Sequence, residues 1–287
     1  MNQWKIGDVL VTRIVEMEVA GGTKFILPEA TREACLPIGW MQPNFMDSEG
    51  NLIMSIHALI IDTGEKRIIV DTCVGNDKKR NIPSWSNLQT NFLKDLKEAG
   101  YPKESIDLVM CTHLHVDHVG WNTMLVNNEW IPTFSNARYL IAEKEWRYWD
   151  ANEDEDLYGP VIADSVRPIV DAEMVDFVDD HFRLCKEVSL IPTPGHTPGH
   201  VSVLITSKKK KALITGDFIH HPVQMTKTDW CSSADYDQAQ GQITRETLLE
   251  KYVDRDILII GTHFATPTAG YIKRLEEGGY WLDVRNL

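Results

Sequence analysis

The segment Cys111-Thr112-His113-Leu114-His115-Val116-Asp117-His118-Val119-Gly120 constrains this chain more than any other. Four potential metal ligands fall within six residues. They follow the apolar run Ile106-Asp107-Leu108-Val109-Met110, which reads as a buried strand. His113 and His115 alternate, so an extended segment can aim both imidazoles the same way. Asp117 and His118 are adjacent and diverge unless the chain turns there. That arrangement suits two metals, one faced by His113 and His115 and the other by Asp117 and His118. A solvated histidine-rich turn is the bland alternative, and four ligands this dense behind a buried strand weigh against it.

Three further ligand candidates stand at the ends of apolar runs. Thr193-Pro194-Gly195-His196-Thr197-Pro198-Gly199-His200 is a rigid turn with two histidines, while Thr215-Gly216-Asp217 and Gly261-Thr262-His263 each close a strand. Loops after buried strands bring distant residues to one edge of a layered fold. His113, His115 and His196 then supply three nitrogens to one ion. Asp117, His118 and His263 serve a second, and Asp217 can bridge the two. Imidazole and carboxylate without thiolate suit zinc, and also manganese, cobalt or iron. Cys111 is expected to point into the core. His57, His181, His200 and His221 are read as supporting or structural, and Asp71 as either a partner of a ligand histidine or a cap.

The remaining sequence sets bounds. A net charge of −13, with Lys208–Lys211 as the one basic run, argues against a nucleic-acid partner; that run reads as a hairpin tip. Five cysteines without CxxC spacing suggest reduced thiols in a cytoplasm. The charged start, Met1 to Asp8, lacks the apolar core of a signal peptide, and no run approaches the ~20 apolar residues of a membrane span. A soluble cytoplasmic protein is expected, as one domain over 1–287.

Strands are expected over residues 5–18, 54–63, 66–72, 106–112, 137–142, 174–178, 182–185, 188–192, 201–207, 212–216 and 257–261. Helices are expected over 87–99, 143–150, 158–170 and 243–253. Residues 21–51, with Pro28, Pro37 and Pro43 among apolar side chains, read as a long loop acting as a lid or a dimer contact. Residues 121–136 read as irregular, and the acidic stretch Asn152 to Asp156 as a solvated loop. Strand-rich halves that each close with helices favour two stacked sheets with helices outside over a doubly wound sheet.

HxHxDH, a Gly-His turn, an Asp after a buried strand and a late His together resemble the metallo-β-lactamase superfamily. The resemblance runs from the Asp71 strand to His263 and implies an αββα four-layer sandwich with its metals at one sheet edge. The seven-ligand set is similar to that of dinuclear hydrolases such as N-acyl homoserine lactonases and methyl parathion hydrolase. It implies two zinc ions activating a water against the carbonyl of a hydrophobic lactone or ester, with Asp117 passing a proton to the leaving alkoxide. Small lactonases often carry a Tyr three residues after the bridging Asp; here that position is His220, a candidate for the same hydrogen bond. Phosphotriester hydrolysis, or redox chemistry at a single iron, is the alternative within the fold. Trp40, Phe45, Met46, Trp121, Phe218, Met225, Trp230 and Phe264 each read as core before pocket, and as a group are pocket candidates at the site edge that favour an uncharged, hydrophobic substrate.

Overall fold

The central strands of this chain carry apolar runs rather than strict alternation, as in Leu108–Cys111 and Leu258–Ile260, because both faces are covered. The computed structural model describes residues 3–152 and 157–285. One sheet holds seven strands in the order β1 (Gln3–Ile6), β2 (Val9–Ala20), β3 (Ile53–Asp62), β4 (Arg67–Val70), β5 (Leu108–Cys111), β8 (Arg138–Ala142) and β9 (Val175–Val178). A hairpin of β6 (Thr123–Val126) and β7 (Glu129–Pro132) stands apart from it. The second sheet runs β10 (Val188–Pro192), β11 (Val201–Ser207), β12 (Lys210–Ile214), β13 (Leu258–Ile260), β14 (Ala269–Arg274) and β15 (Tyr280–Asp283).

Alternation along the strands sorts side chains into three apolar layers. Leu59 and Ile61 of β3, Ile68 and Val70 of β4, and Met110 of β5 meet Val201, Val203 and Ile205 of β11 and Ala212 and Ile214 of β12 between the sheets. Their strand neighbours Ala58, Ile60, Ile69, Val109 and Cys111 face outward, onto Phe92 and Leu96 of α2 (Phe92–Glu98) and Trp149 of α3 (Glu143–Ala151). On the other side, Leu213 and Ile259 pack beneath Leu248 and Leu249 of α6 (Gln238–Tyr252). The result is the αββα sandwich, an α/β fold.

Several local expectations need correction. The expected strand over 5–18 is two strands, since Gly7 takes a positive φ of 61° and turns the chain between β1 and β2. Residues 121–136 contain the β6–β7 hairpin, whose turn residues Asn127 and Asn128 both have positive φ, as a type I′ turn requires. The helix expected over 87–99 spans only Phe92–Glu98, and that over 158–170 is a π-turn at Ile162–Val166 running into α4 (Arg167–Asp171). Residues 182–185 contribute only an isolated bridge from Arg183 to Ser189. β14 and β15 were not anticipated. Glu153 to Asp156 of the acidic stretch lie outside the described residues. Within 21–51, α1 (Arg32–Cys35) is followed by Met41, Phe45 and Met46, all buried against the second sheet with Leu27 and Leu52. The buried apolar side chains of this segment thus join the core, while Phe25 and Leu36 remain exposed. No helix among the described residues is long and apolar enough to cross a membrane.

The inter-sheet layer should dominate stability. Ile61→Ala is expected to cost about 2–5 kcal/mol in urea unfolding, whereas Ile243→Ala, 57% exposed on α6, should stay within about 0.5 kcal/mol of the parent. Equal effects of the two would contradict this layering.

Candidate metal centre

Strand direction gathers the polar residues at one edge. β4, β5 and β8 run parallel, as do β12 and β13. Their carboxyl ends release Asp71, His113 to His118, Asp217 and His263 onto the same rim, the usual ligand-binding edge of parallel strands. The rim is tightly built. Thr72 N donates to His118 O at 2.7 Å, Gly120 N to Cys73 O at 2.7 Å and Val201 N to Thr112 O at 3.0 Å. Gly120 must be glycine, because a Cβ there would lie 1.8 Å from Val74 O. Asp71 and Cys73 hold positive φ values of 57° and 54°, local strain at a functional edge.

The seven residues singled out by the ligand pattern converge here. His113 Nε2 is 3.1 Å from His115 Nδ1, which is 2.8 Å from His196 Nε2. Asp117 Oδ1 is 3.6 Å from His118 Nε2, and its Oδ2 is 3.6 Å from His263 Nε2. Asp217 Oδ2 sits between the two groups, 3.9 Å from His113, 3.6 Å from His196, 3.3 Å from His118 and 3.1 Å from His263. His220 is drawn in as well, its Nε2 3.3 Å from the same oxygen.

Acceptor-only partners decide which ring nitrogens carry protons. His118 Nδ1 lies 3.0 Å from Asp71 Oδ2, His196 Nδ1 2.8 Å from Asp235 Oδ1, and His263 Nδ1 3.0 Å from Ser55 O. His113 Nδ1 lies 3.1 Å from Thr112 Oγ1, which itself donates to Asp71 Oδ2 at 2.9 Å. Each partner accepts a hydrogen bond from Nδ1–H, so in the neutral rings four Nε2 lone pairs point inward at one another and at a carboxylate. Such an array repels itself unless cations stand within it. The donor set of imidazole and carboxylate, with Asp217 Oδ1 buried and unpartnered, fits divalent ions at these positions. Thiolates take no part: Cys111 lies against Asn122, and burial pushes its thiol up to about 12.

Protonation in the metal-free protein reflects the same crowding. Burial and neighbouring imidazoles hold His113 and His115 well below the ordinary histidine value, and burial brings His196 and His220 to about 3. For His118 and His263 burial acts the same way but is outweighed by carboxylates, chiefly Asp217, which raise both. Asp217 falls well below its usual range: burial opposes ionisation, and His263, His118 and His220 overcome it.

Of the histidines read as supporting, His200 accepts from Asp217 N at 2.7 Å, His57 lies 3.1 Å from Gly261 O behind the late ligand loop, and His221 lies 2.9 Å from Phe45 O. His181 is on the surface. Asp71 fills both roles considered for it, partner of His118 and cap of the Thr112 amide at 2.7 Å. Asp235 and Ser55 escaped sequence reasoning, because neither lies near a ligand motif.

The centre opens into a cavity of about 590 Å³ walled by Met17, Val19, Phe25, Ile56, Trp85 and Tyr158. None of the eight pocket candidates lines it. Phe45, Met46, Phe218, Met225, Trp230 and Phe264 are buried around the second sheet with Trp40 against them, and Trp121 stacks on Phe92 in the first outer layer. Aromatic content alone does not separate core from cavity wall.

Residues 54–263 match the metallo-beta-lactamase superfamily model. The chain belongs to that superfamily. An N-acyl homoserine lactonase of Bacillus sp is 27% identical over 180 residues, covering 58% of this chain and 64% of the relative. A probable metallo-hydrolase of Methanocaldococcus jannaschii is 29% identical over 150 residues, covering 52% of this chain and 50% of the relative. The chain thus spans less than two thirds of the length of these superfamily relatives. Among solved structures, AidC, a dizinc quorum-quenching lactonase, superposes with a TM-score of 0.78 at 22% identity over 99% of this chain and 97% of its own. The hydrolase AbOPH, in the beta lactamase superfamily, gives 0.80 at 21% identity, with the same coverages. Both likenesses are of fold.

Buried neutral histidines make the metal-free superfamily fold acid-sensitive. His57 and His221 lie below their unfolded values through burial, His221 at about 4. The unfolded chain therefore binds more protons below about pH 6.5, and stability is lost as pH falls from there toward the folded values. His221 alone should withdraw on the order of 2 kcal/mol by pH 5. His118 and His263 act in the opposite direction and offset part of the loss. Thermal melts of chelator-treated protein should show Tm falling between pH 7 and 5, and a rise would contradict this balance.

Proposed function

We propose that this chain is a dinuclear metal-dependent hydrolase acting on a neutral lactone or carboxylic ester that carries an apolar group. The observation that carries the reading is the junction of two ligand groups, joined at Asp217, with an apolar cavity. No lysine or arginine is among the described residues lining that cavity, and the carboxylates of Asp117 and Asp217 face it. Such a wall favours an uncharged substrate over a polyanion. Relatives named N-acyl homoserine lactonases support the same class.

His113, His115 and His196 would hold one ion and Asp117, His118 and His263 the other, with Asp217 between them. Zinc suits these donors, as manganese, cobalt or iron also can. Bound there, the pair would supply hydroxide near neutral pH and Lewis-acid polarisation of the substrate carbonyl.

The chain's own side chains complete the chemistry. Hydrolysis adds water oxygen to the carbonyl carbon and breaks the bond to the alkoxy oxygen, which must gain a proton. Asp117 is the most open carboxylate of the centre, with its side chain 14% exposed against 5% for Asp217, and can carry that proton. His220 lines the cavity; both ring nitrogens are buried without a hydrogen bond, although Nε2 stands 3.3 Å from Asp217 Oδ2. An N–H on its ring is free to donate to the carbonyl oxygen as charge develops there. The apolar group of the substrate would lie along Met17, Val19 and Phe25. A cavity of about 590 Å³ and the −13 charge argue for small-molecule substrates and against nucleic acid.

The metal-replete protein should contain two ions per chain and hydrolyse neutral apolar lactones or esters ahead of anionic analogues and phosphotriesters. Asp217→Ala should lose metal and turnover together. A single iron, or turnover surviving chelation, would overturn the proposal. His220→Phe should lower kcat by about 10²–10³ with KM little changed. Unchanged kcat would remove His220 from the mechanism.

A further inference from the structure

Glu145 is a carboxylate with 1% exposure in the first turn of α3, outside every ligand motif. Its Oε1 accepts from Leu114 N at 3.0 Å and from Trp149 Nε1 at 2.8 Å. Its Oε2 accepts from Thr197 Oγ1 at 2.7 Å and from Gly199 N at 3.0 Å. Leu114 lies between His113 and His115, while Thr197 and Gly199 follow His196. One buried side chain thus fastens the two loops that carry the first ligand group, one from each sheet.

The backbone is fitted to this contact independently of the hydrogen bonds. A Cβ on Gly199 would lie 2.1 Å from Glu145 N and 2.5 Å from its Cα, so Gly199 is glycine where α3 closes on the loop. Trp149, one helical turn after Glu145, sets its ring edge-on to His115 at 5.5 Å. Burial raises the Glu145 carboxyl while its four donors act to lower it. Burying a carboxylate is expensive unless its lone pairs are satisfied, and here every partner is a donor.

We propose that Glu145 is a positioning residue that sets the spacing of His113, His115 and His196 and thereby the affinity of the ion they hold. This rests on the metal reading of those three histidines. The carboxylate acts through both oxygens at once. Glutamine has the same shape but must turn its NH2 either toward Leu114 N and Trp149 Nε1 or toward Gly199 N, N–H groups that cannot accept, so it cannot keep all four bonds. Aspartate is one methylene too short to reach both.

The test measures metal binding rather than turnover. Wild type, Glu145→Gln and Phe134→Leu would be compared, the last a core change beside Tyr139 of β8, at a position outside both loops, that is expected to lower Tm. Chelator-competition titration should show the first ion bound about 10–100-fold more weakly in Glu145→Gln. The cobalt-substituted spectrum should change with it, and Phe134→Leu should keep wild-type affinity and spectrum. If both variants weaken binding equally, or if Glu145→Gln binds two ions as tightly as wild type, the positioning role is overturned. If wild type itself binds no ion, the metal reading fails instead, so the two failures are distinguishable.

Discussion

Asp217 Oδ2 has the Nε2 atoms of His118, His220 and His263 within 3.3 Å. The rest of the site follows from what is needed to hold such a cluster together. Neutral imidazoles pointing lone pairs at a carboxylate repel it, and each has been taken out of water, which costs free energy in addition. In the metal-free chain, protons on His118 and His263 take up part of the charge mismatch, which is why those two rise while the others fall. Nothing within the cluster selects this geometry. It is held from outside, by Asp71, Asp235, Ser55 O and His200, each fixing one ring or one amide.

Those outer partners are themselves set by the sheets. Two apolar faces pack dry between β3, β4 and β5 on one side and β11, β12 and β13 on the other, and strand direction leaves the carboxyl ends on one rim. Small shifts of one sheet past the other would separate His113 from His196, which belong to different sheets. Polar ties cross the seam where this matters: Val201 N to Thr112 O, and the Glu145 carboxylate to both loops. The bulge at Glu16 in β2 does related work, since its unpaired position lets the carboxylate accept from Trp121 Nε1 at 2.7 Å and Val74 N at 2.8 Å. Positive φ at Asp71 and Cys73 is tolerated in the same turn because these bonds over-determine it.

Legibility in the sequence followed the range of each interaction. His113, His115, Asp117 and His118 announce themselves because six residues of backbone carry four candidate ligands, and Gly-His, Gly-Asp and Thr-His at strand ends show where the others lie. Central strands were readable as apolar runs. Asp235 and Glu145 were not, because a lone acidic residue shows nothing of the distant ring or amide it meets. The β6–β7 hairpin was missed although Asn127-Asn128 is a turn signal, and α2 is shorter than its apolar spacing suggested. The cavity wall was misassigned for a related reason. Large apolar residues are common to core and pocket, and only tertiary placement separates Phe25 and Trp85, at the cavity, from Phe45 and Phe264, inside.

Centre and cavity wall are therefore governed by different constraints. A ligand histidine here is fixed by its ring partner, its loop and the neighbouring strand end, so a substitution there disturbs several buried polar groups together. Met17, Val19 and Phe25 belong instead to the end of β2 and the turn that follows it, where Val19 is 53% exposed and Phe25 49%. Phe25 meets the Trp85 ring edge-on at 6.5 Å, while Met17 and Trp85 also rest on the first outer layer. The side chains of Met17, Val19 and Phe25 are apolar and make no hydrogen bond to the centre, so Val19 and Phe25, the exposed pair, can vary without breaking its polar contacts. On the proposed reading, reaction class and substrate choice are then separable properties of one rim, the first belonging to the histidine and carboxylate edge and the second to the lip between β2 and the segment carrying Ile82 and Trp85.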